Sequence, residues 1–261
     1  MKNRRNLSFL MVIGLSLTSC SSGGIISNEK AISLFEKIKK SINSSEYNIG
    51  ISRGILTGKY RYSYGDGMQG EIQNQEFTLK FDLKNYFCEY TNYQKIEQKF
   101  IGTGSTIKEF HEYKLYELQN NRLYYESVIT ETITSPNNEK TTDTDTFSET
   151  LDNETEWHSS MKTSVQPYKD ILENIFASIE AFIYKKTEST TLGSSNTPIY
   201  YSDNSGNLKI INSNESDETT NSSNLEICFE NNNFSFYKYS YDRPITGFST
   251  HINKEYRYSS Y

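Results

Sequence analysis

Three cysteines, four prolines, three histidines and one tryptophan in 261 residues leave several familiar designs without their raw material. So few cysteines exclude a disulfide-stapled scaffold, since small domains of that kind are dense in them. Apart from Cys20, in the leader, the chain has Cys88 and Cys228, both in strand-like runs. They either pair or lie buried as free thiols. His111, His158 and His251 are far apart and none belongs to an H-x-x-x-H pair, so no local zinc motif is present. Positive charge is in deficit as well, with 27 Lys and Arg against 33 Asp and Glu. That balance argues against a nucleic-acid partner, because such binding rests on clustered basic residues. It argues equally against an electrostatic clamp on anionic lipid. Long apolar runs are missing too: Leu7 to Leu17 covers eleven residues, against the roughly 20 that cross a bilayer as a helix.

What the chain does have begins with that leader. Lys2, Arg4 and Arg5 precede the apolar run, and small residues follow it, in the order of a secretory signal. Leu17-Thr18-Ser19-Cys20 resembles a bacterial lipobox. The resemblance implies cleavage before Cys20, lipidation of its thiol, and anchoring on the exported face of the cell membrane. The expected organisation is a signal peptide over 1–19, a lipidated cysteine and flexible tether over 20–27, and one ectodomain over 28–261.

Hydrophobic periodicity then divides the ectodomain. Ala31, Leu34, Phe35, Ile38 and Ile42 recur at helical spacing and predict a helix from about Asn28 to Ser44. The period changes to two at Leu56, Gly58, Tyr60, Tyr62 and Tyr64, and again at Phe77, Leu79, Phe81 and Leu83, which predicts strands. Further strands are expected around Ile96–Phe100, Thr106–Gln119 and Arg122–Thr134, with Asn120-Asn121 as a hairpin turn. A second helix is predicted from about Pro167 to Lys186, its wide apolar face made by Ile171, Leu172, Ile175, Phe176, Ile179, Phe182 and Ile183. The last quarter returns to strands, interrupted by a polar loop from Asn212 to Asn224. The fold class is therefore α+β: a curved, half-barrel-like antiparallel sheet packed on two amphipathic helices. That element order resembles the LolA-like periplasmic carriers and related lipid-carrying lipoproteins. The resemblance implies a sheet wrapped over a hydrophobic cavity.

The local motifs resolve into turns. Gly65-Asp66-Gly67-Met68-Gln69-Gly70 satisfies G-x-G-x-x-G, but a dinucleotide site needs a helix next, and a strand follows. Asp203-Asn204-Ser205-Gly206-Asn207 starts like a calcium loop yet lacks the terminal Glu. No G-x-S-x-G elbow is present. Twenty-one tyrosines are the remaining unusual feature. They suit sheet packing, a cavity wall, a sugar-stacking surface or an interface.

The sequence points to a non-enzymatic, membrane-anchored protein needing no cofactor or metal. Its expected ligand is apolar, lipid among the candidates, held between sheet and helices with Ile175, Phe176, Ile179, Phe182 and Ile183 on one wall. The alternative is a surface interaction module that buries those residues as core and engages partners through its tyrosine-rich strands.

Overall fold

The structure is a computed structural model that describes residues 23–66, 68–184, 198–214, 222–245 and 248–260. A two-residue strand, β1 (Gly24–Ile25), precedes α1 (Asn28–Asn43), so the expected tether already carries some structure. Ser27 caps α1, its side-chain oxygen accepting from the Lys30 amide at 3.4 Å. The buried stripe of α1 is Ala31, Phe35, Ile38 and Ile42, the face set by a 3.6-residue period.

Six strands follow: β2 (Arg53–Gly65), β3 (Gly70–Asp82), β4 (Phe87–Phe100), β5 (Gly104–Gln119), β6 (Arg122–Thr134) and β7 (Lys140–Leu151). Then come α2 (Glu154–Ser164) and α3 (Gln166–Ile183). The remaining strands are β8 (Ile199–Ser202), β9 (Leu208–Asn214), β10 (Ser222–Glu230), β11 (Asn233–Ile245) and β12 (Phe248–Ser259). The polar loop expected over Asn212 to Asn224 is thus shortened from both ends, and its residues 215–221 lie outside the described ones. Lys186, the expected end of the second predicted helix, also lies outside them.

The helix count is three among the described residues, not two. The additional α2 begins at a capping Asn153, whose side-chain oxygen accepts from the Glu156 amide at 3.0 Å. It buries Trp157 and Met161. Two apolar residues four apart make too thin a stripe for periodicity to register, which is why the sequence does not reveal this helix.

All twelve strands form one antiparallel sheet in the order β1-β8-β9-β10-β11-β12-β2-β3-β4-β5-β6-β7. Its two edges, β1 and β7, do not pair, so the sheet is open. Laid flat, it would be about 55 Å wide at the usual strand spacing. Leu123 of β6 and Leu208 of β9 nevertheless belong to one buried cluster with α1 and α3, so the sheet wraps around its helices. The turns follow their residues: Asn120 and Asn121 both have positive φ, as do Asn231 and Asn232, the two-residue hairpin geometry that asparagine tolerates.

The helices cover only one end of the long strands. Leu56, Leu79, Phe81, Cys88, Tyr116 and Leu123 are buried there. Farther along the same strands, no inner-face residue from Tyr60 to Tyr64 or from Asn92 to Gln98 is buried.

Candidate functional site

The open end of the inner face is built by strand register. Side chains two apart share a face, and Leu56 pairs with Leu79 on β3 and Tyr258 on β12. Following the pairing outward from that buried level places Gly58, Tyr60, Tyr62 and Tyr64 of β2 on the inner face. Beside them stand Phe77, Gln75 and Gln73 of β3, and Tyr90, Asn92 and Gln94 of β4. From the other side come Tyr256, Lys254 and Ile252 of β12, with Tyr237, Tyr239 and Tyr241 of β11.

Aromatic rings form a row where the covered and open ends meet. Tyr237 packs on Tyr256 at 5.5 Å between centroids, Tyr256 on Phe77 at 6.1 Å, and Phe77 on Tyr90 at 6.2 Å. The row crosses β2 because Gly58 leaves room: a Cβ there would lie 2.0 Å from the Phe77 ring. Gly54 makes the same allowance closer to the core, where a Cβ would lie 2.2 Å from the Tyr258 ring. Aromatic cover restores to these glycines the packing they lack.

Above the row the face is half-open and polar. The Gln75 side-chain amide donates to the Asn92 carbonyl oxygen across the strands at 3.0 Å. The Lys254 ammonium lies 5.3 Å from the Tyr60 ring centroid, a cation–π distance. Partial burial raises the hydroxyl pKa of Tyr60, Tyr239 and Tyr256. Burial, with the nearby Glu112 carboxylate, pushes Tyr90 up to about 12. These hydroxyls therefore stay protonated at neutral pH and can donate as well as accept.

The wall residues expected from the sequence lie elsewhere. Ile175, Phe176, Ile179 and Ile183 are at most 5 % exposed, and Phe182 packs against the same core. Phe176 stands edge-on to Phe35 at 5.8 Å and stacks on Phe229 at 6.3 Å. Protein side chains thus occupy the space expected for an apolar ligand. Phe176 also reaches an open cleft of about 250 Å³, shared with Asn43, Asn48, Lys169, Leu172 and Glu173. A second depression of about 410 Å³ lies over the middle of β12, β2 and β3, with Lys59, Arg61, Glu76 and Glu255 on its walls. Cys20, the expected lipidation site, lies outside the described residues.

The other sequence candidates fall into place as turns and ties. Asp66 accepts from the Met68 and Gln69 amides, closing the β2–β3 hairpin; Gly67 is outside the described residues. Asp203 likewise accepts from Ser205 and Asn207 in the β8–β9 turn. Cys88 is a free, buried thiol, which rules out a Cys88–Cys228 pair. Burial raises its pKa to about 12, so it is a poor nucleophile. His158 is less isolated than its sequence position suggests. Its Nε2 lies 3.2 Å from the Tyr86 hydroxyl, and its Nδ1 lies 3.5 Å from that of Tyr47 and 3.6 Å from a Glu46 oxygen. The cluster ties α2 to the α1–β2 connection and to Tyr86, which takes a positive φ just before β4. Among the described residues, no group of three or more His, Cys, Asp or Glu is placed to hold a metal ion, and no helix is long and apolar enough to cross a membrane.

No protein-family model matches the chain, and no curated protein matches it. Among solved structures, a β-barrel-like protein of a domain of unknown function, DUF1849, from Brucella abortus is similar over 81 % of this chain and 100 % of that one. The identity is 8 % and the TM-score 0.27.

Proposed function

We propose that this is a non-enzymatic binding module of the bacterial cell envelope, anchored through a lipidated Cys20, whose partner-facing surface is the open inner face of the sheet. One observation carries the reading. The strands run well past the helices, and the uncovered inner face is tyrosine and amide rather than the charged mixture found on the outer face of the same strands. A protein with no use for that surface would cover it or charge it.

The second reading, an apolar ligand between sheet and helices, draws on the broad face of α3. It requires α3 to separate from the sheet, because Phe176 and Ile179 now fill the space. Ile179→Asp separates the two readings: here it unfolds the protein, whereas a carrier would stay folded and lose its ligand.

The test of the first reading is flow cytometry of fluorescent protein on intact bacterial and animal cells. Wild type should label a surface, and the Tyr60→Ala/Tyr239→Ala double variant should lose at least tenfold of the signal with its circular dichroism unchanged. Equal labelling by the double variant, or no labelling by wild type, overturns the reading.

A further inference from the structure

We infer that the open inner face takes an uncharged polysaccharide, lying across β11, β12, β2, β3 and β4; this rests on the reading of that face as the binding surface. The chemistry is complementary on three counts.

Rings come first. A pyranose presents one face of C–H groups, which packs on an aromatic ring as another apolar surface would. Tyr60, Tyr62, Tyr239 and Tyr241 stand on the inner face beyond the aromatic row, all half-buried, so each offers ring surface to solvent without being free to swing.

Hydroxyl recognition comes second. The edge of a sugar is a series of neighbouring donors and acceptors, and a carboxamide carries both functions side by side. Gln75 of β3 stands opposite Gln94 of β4, with Gln73 and Asn92 as their next inner-face neighbours on the two strands, so the four carboxamides form a staggered block next to the rings. The Gln75–Asn92 bond uses one donor and one acceptor. It leaves the Gln75 carbonyl oxygen and an Asn92 N–H for a ligand, and it fixes both side chains in advance, which lowers the entropy lost on binding.

Charge decides among ligand classes. On these strands Lys254 is the one charged inner-face residue between the aromatic row and the rim pair Arg243 and Glu71, and its ammonium is already seated on the Tyr60 ring. The outer face of the same strands carries Lys59, Arg61, Glu76, Lys238, Glu255 and Arg257. A chain of net charge −6 that keeps one face neutral suits a neutral polymer. An anionic glycan would need clustered Lys and Arg. A lipid tail would need a continuous apolar surface, which the amide block interrupts. The strip spans about 19 Å from β11 to β4 at ordinary strand spacing, room for several sugar rings in a row.

The test is affinity gel electrophoresis of the purified protein through gels containing a neutral β-glucan, a neutral α-mannan or heparin. At least one neutral polymer should retard wild type, while heparin should not. Tyr60→Ala and Gln75→Ala should each weaken the retardation at least tenfold, and Lys95→Ala, on the outer face of β4, should leave it unchanged. Circular dichroism of each variant checks the fold. Migration unaltered by both neutral polymers, or retardation by heparin alone, overturns the polysaccharide assignment. Cell labelling after periodate or protease treatment then separates the two levels. Labelling that survives periodate, falls with protease and still needs Tyr60 and Tyr239 means that the face binds protein. Labelling that never needed those tyrosines means that the face reading has failed as well.

Discussion

The two ends of the same strands make different proteins of one sheet. At the helix-covered end, Leu56, Leu79 and Phe81 are fully buried and touch a core shared by α1, α3 and strands from both halves of the chain. A few residues farther along β2, alternation continues unbroken, yet none of the helices among the described residues buries Tyr60, Tyr62 or Tyr64. Period-two patterning is therefore a statement about pleat, not about burial. A strand can keep its rhythm into a region where only cross-strand neighbours hold it, and there the pairing of rings and amides replaces core packing. The covered end supplies stability, and the open end can carry a surface suited to binding.

Truncating one side chain at each end should have very different costs. Phe35→Ala, at 0 % exposure beneath α3, should cost about 3–5 kcal/mol. Tyr62→Ala should cost under about 1 kcal/mol, as surface positions do. Urea unfolding midpoints decide this, and equal losses would mean that the open end is core after all. Gly58→Val probes the boundary. Its side chain would displace the Phe77 ring, at a cost of about 1–3 kcal/mol. Adding Phe77→Ala should recover some of that loss, as a double-mutant cycle would show.

Tyr168 sharpens the contrast from within the core. Its hydroxyl is buried with no hydrogen-bond partner among the described residues, so Tyr168→Phe should raise stability by about 1 kcal/mol. Alkaline titration comes next. Tyr90 ionises in the folded protein near 12 against 10 for a free tyrosine, and the unfolded chain therefore loses its proton first. Its stabilising share is complete below pH 10 and disappears as pH rises from 10 to about 12. The difference in tyrosinate absorbance between wild type and Tyr90→Phe should rise late, together with unfolding; an early rise of that difference in the folded state contradicts this placement. The smallest effect belongs to Lys59→Ala. The Lys59–Glu76 pair is exposed at 3.2 Å, and its loss should change stability by no more than about 0.5 kcal/mol.

Much of the site is legible in the sequence only in pieces. The tyrosine alternation of β2 and the crowd of tyrosines in β11 and β12 are plain in the chain, and the adjacency that makes them one surface is not. Tyr60 meets Lys254 because β12, the last strand, pairs with β2; no local signal specifies a contact across nearly two hundred residues. The Gln73, Gln75, Asn92 and Gln94 block is invisible for the same reason, since glutamine and asparagine in a strand read as ordinary polar positions. The face of α3 is wide and apolar in the sequence and in the structure alike. Whether it lines a cavity or a core depends on what Phe35 and Phe229 do with the space.

Local signals in the chain were enough for the stripe of α1, the apolar face of α3, the Asn120-Asn121 hairpin and the two-residue rhythm of the strands. Each depends on backbone geometry and neighbours within a turn or two. The tertiary structure decided the joining of β12 to β2, the wrapping of one sheet around three helices, and which end of each strand the helices would cover. Those outcomes depend on long-range register and on the fit of side chains from distant segments, where a single glycine such as Gly58 decides which ring may cross.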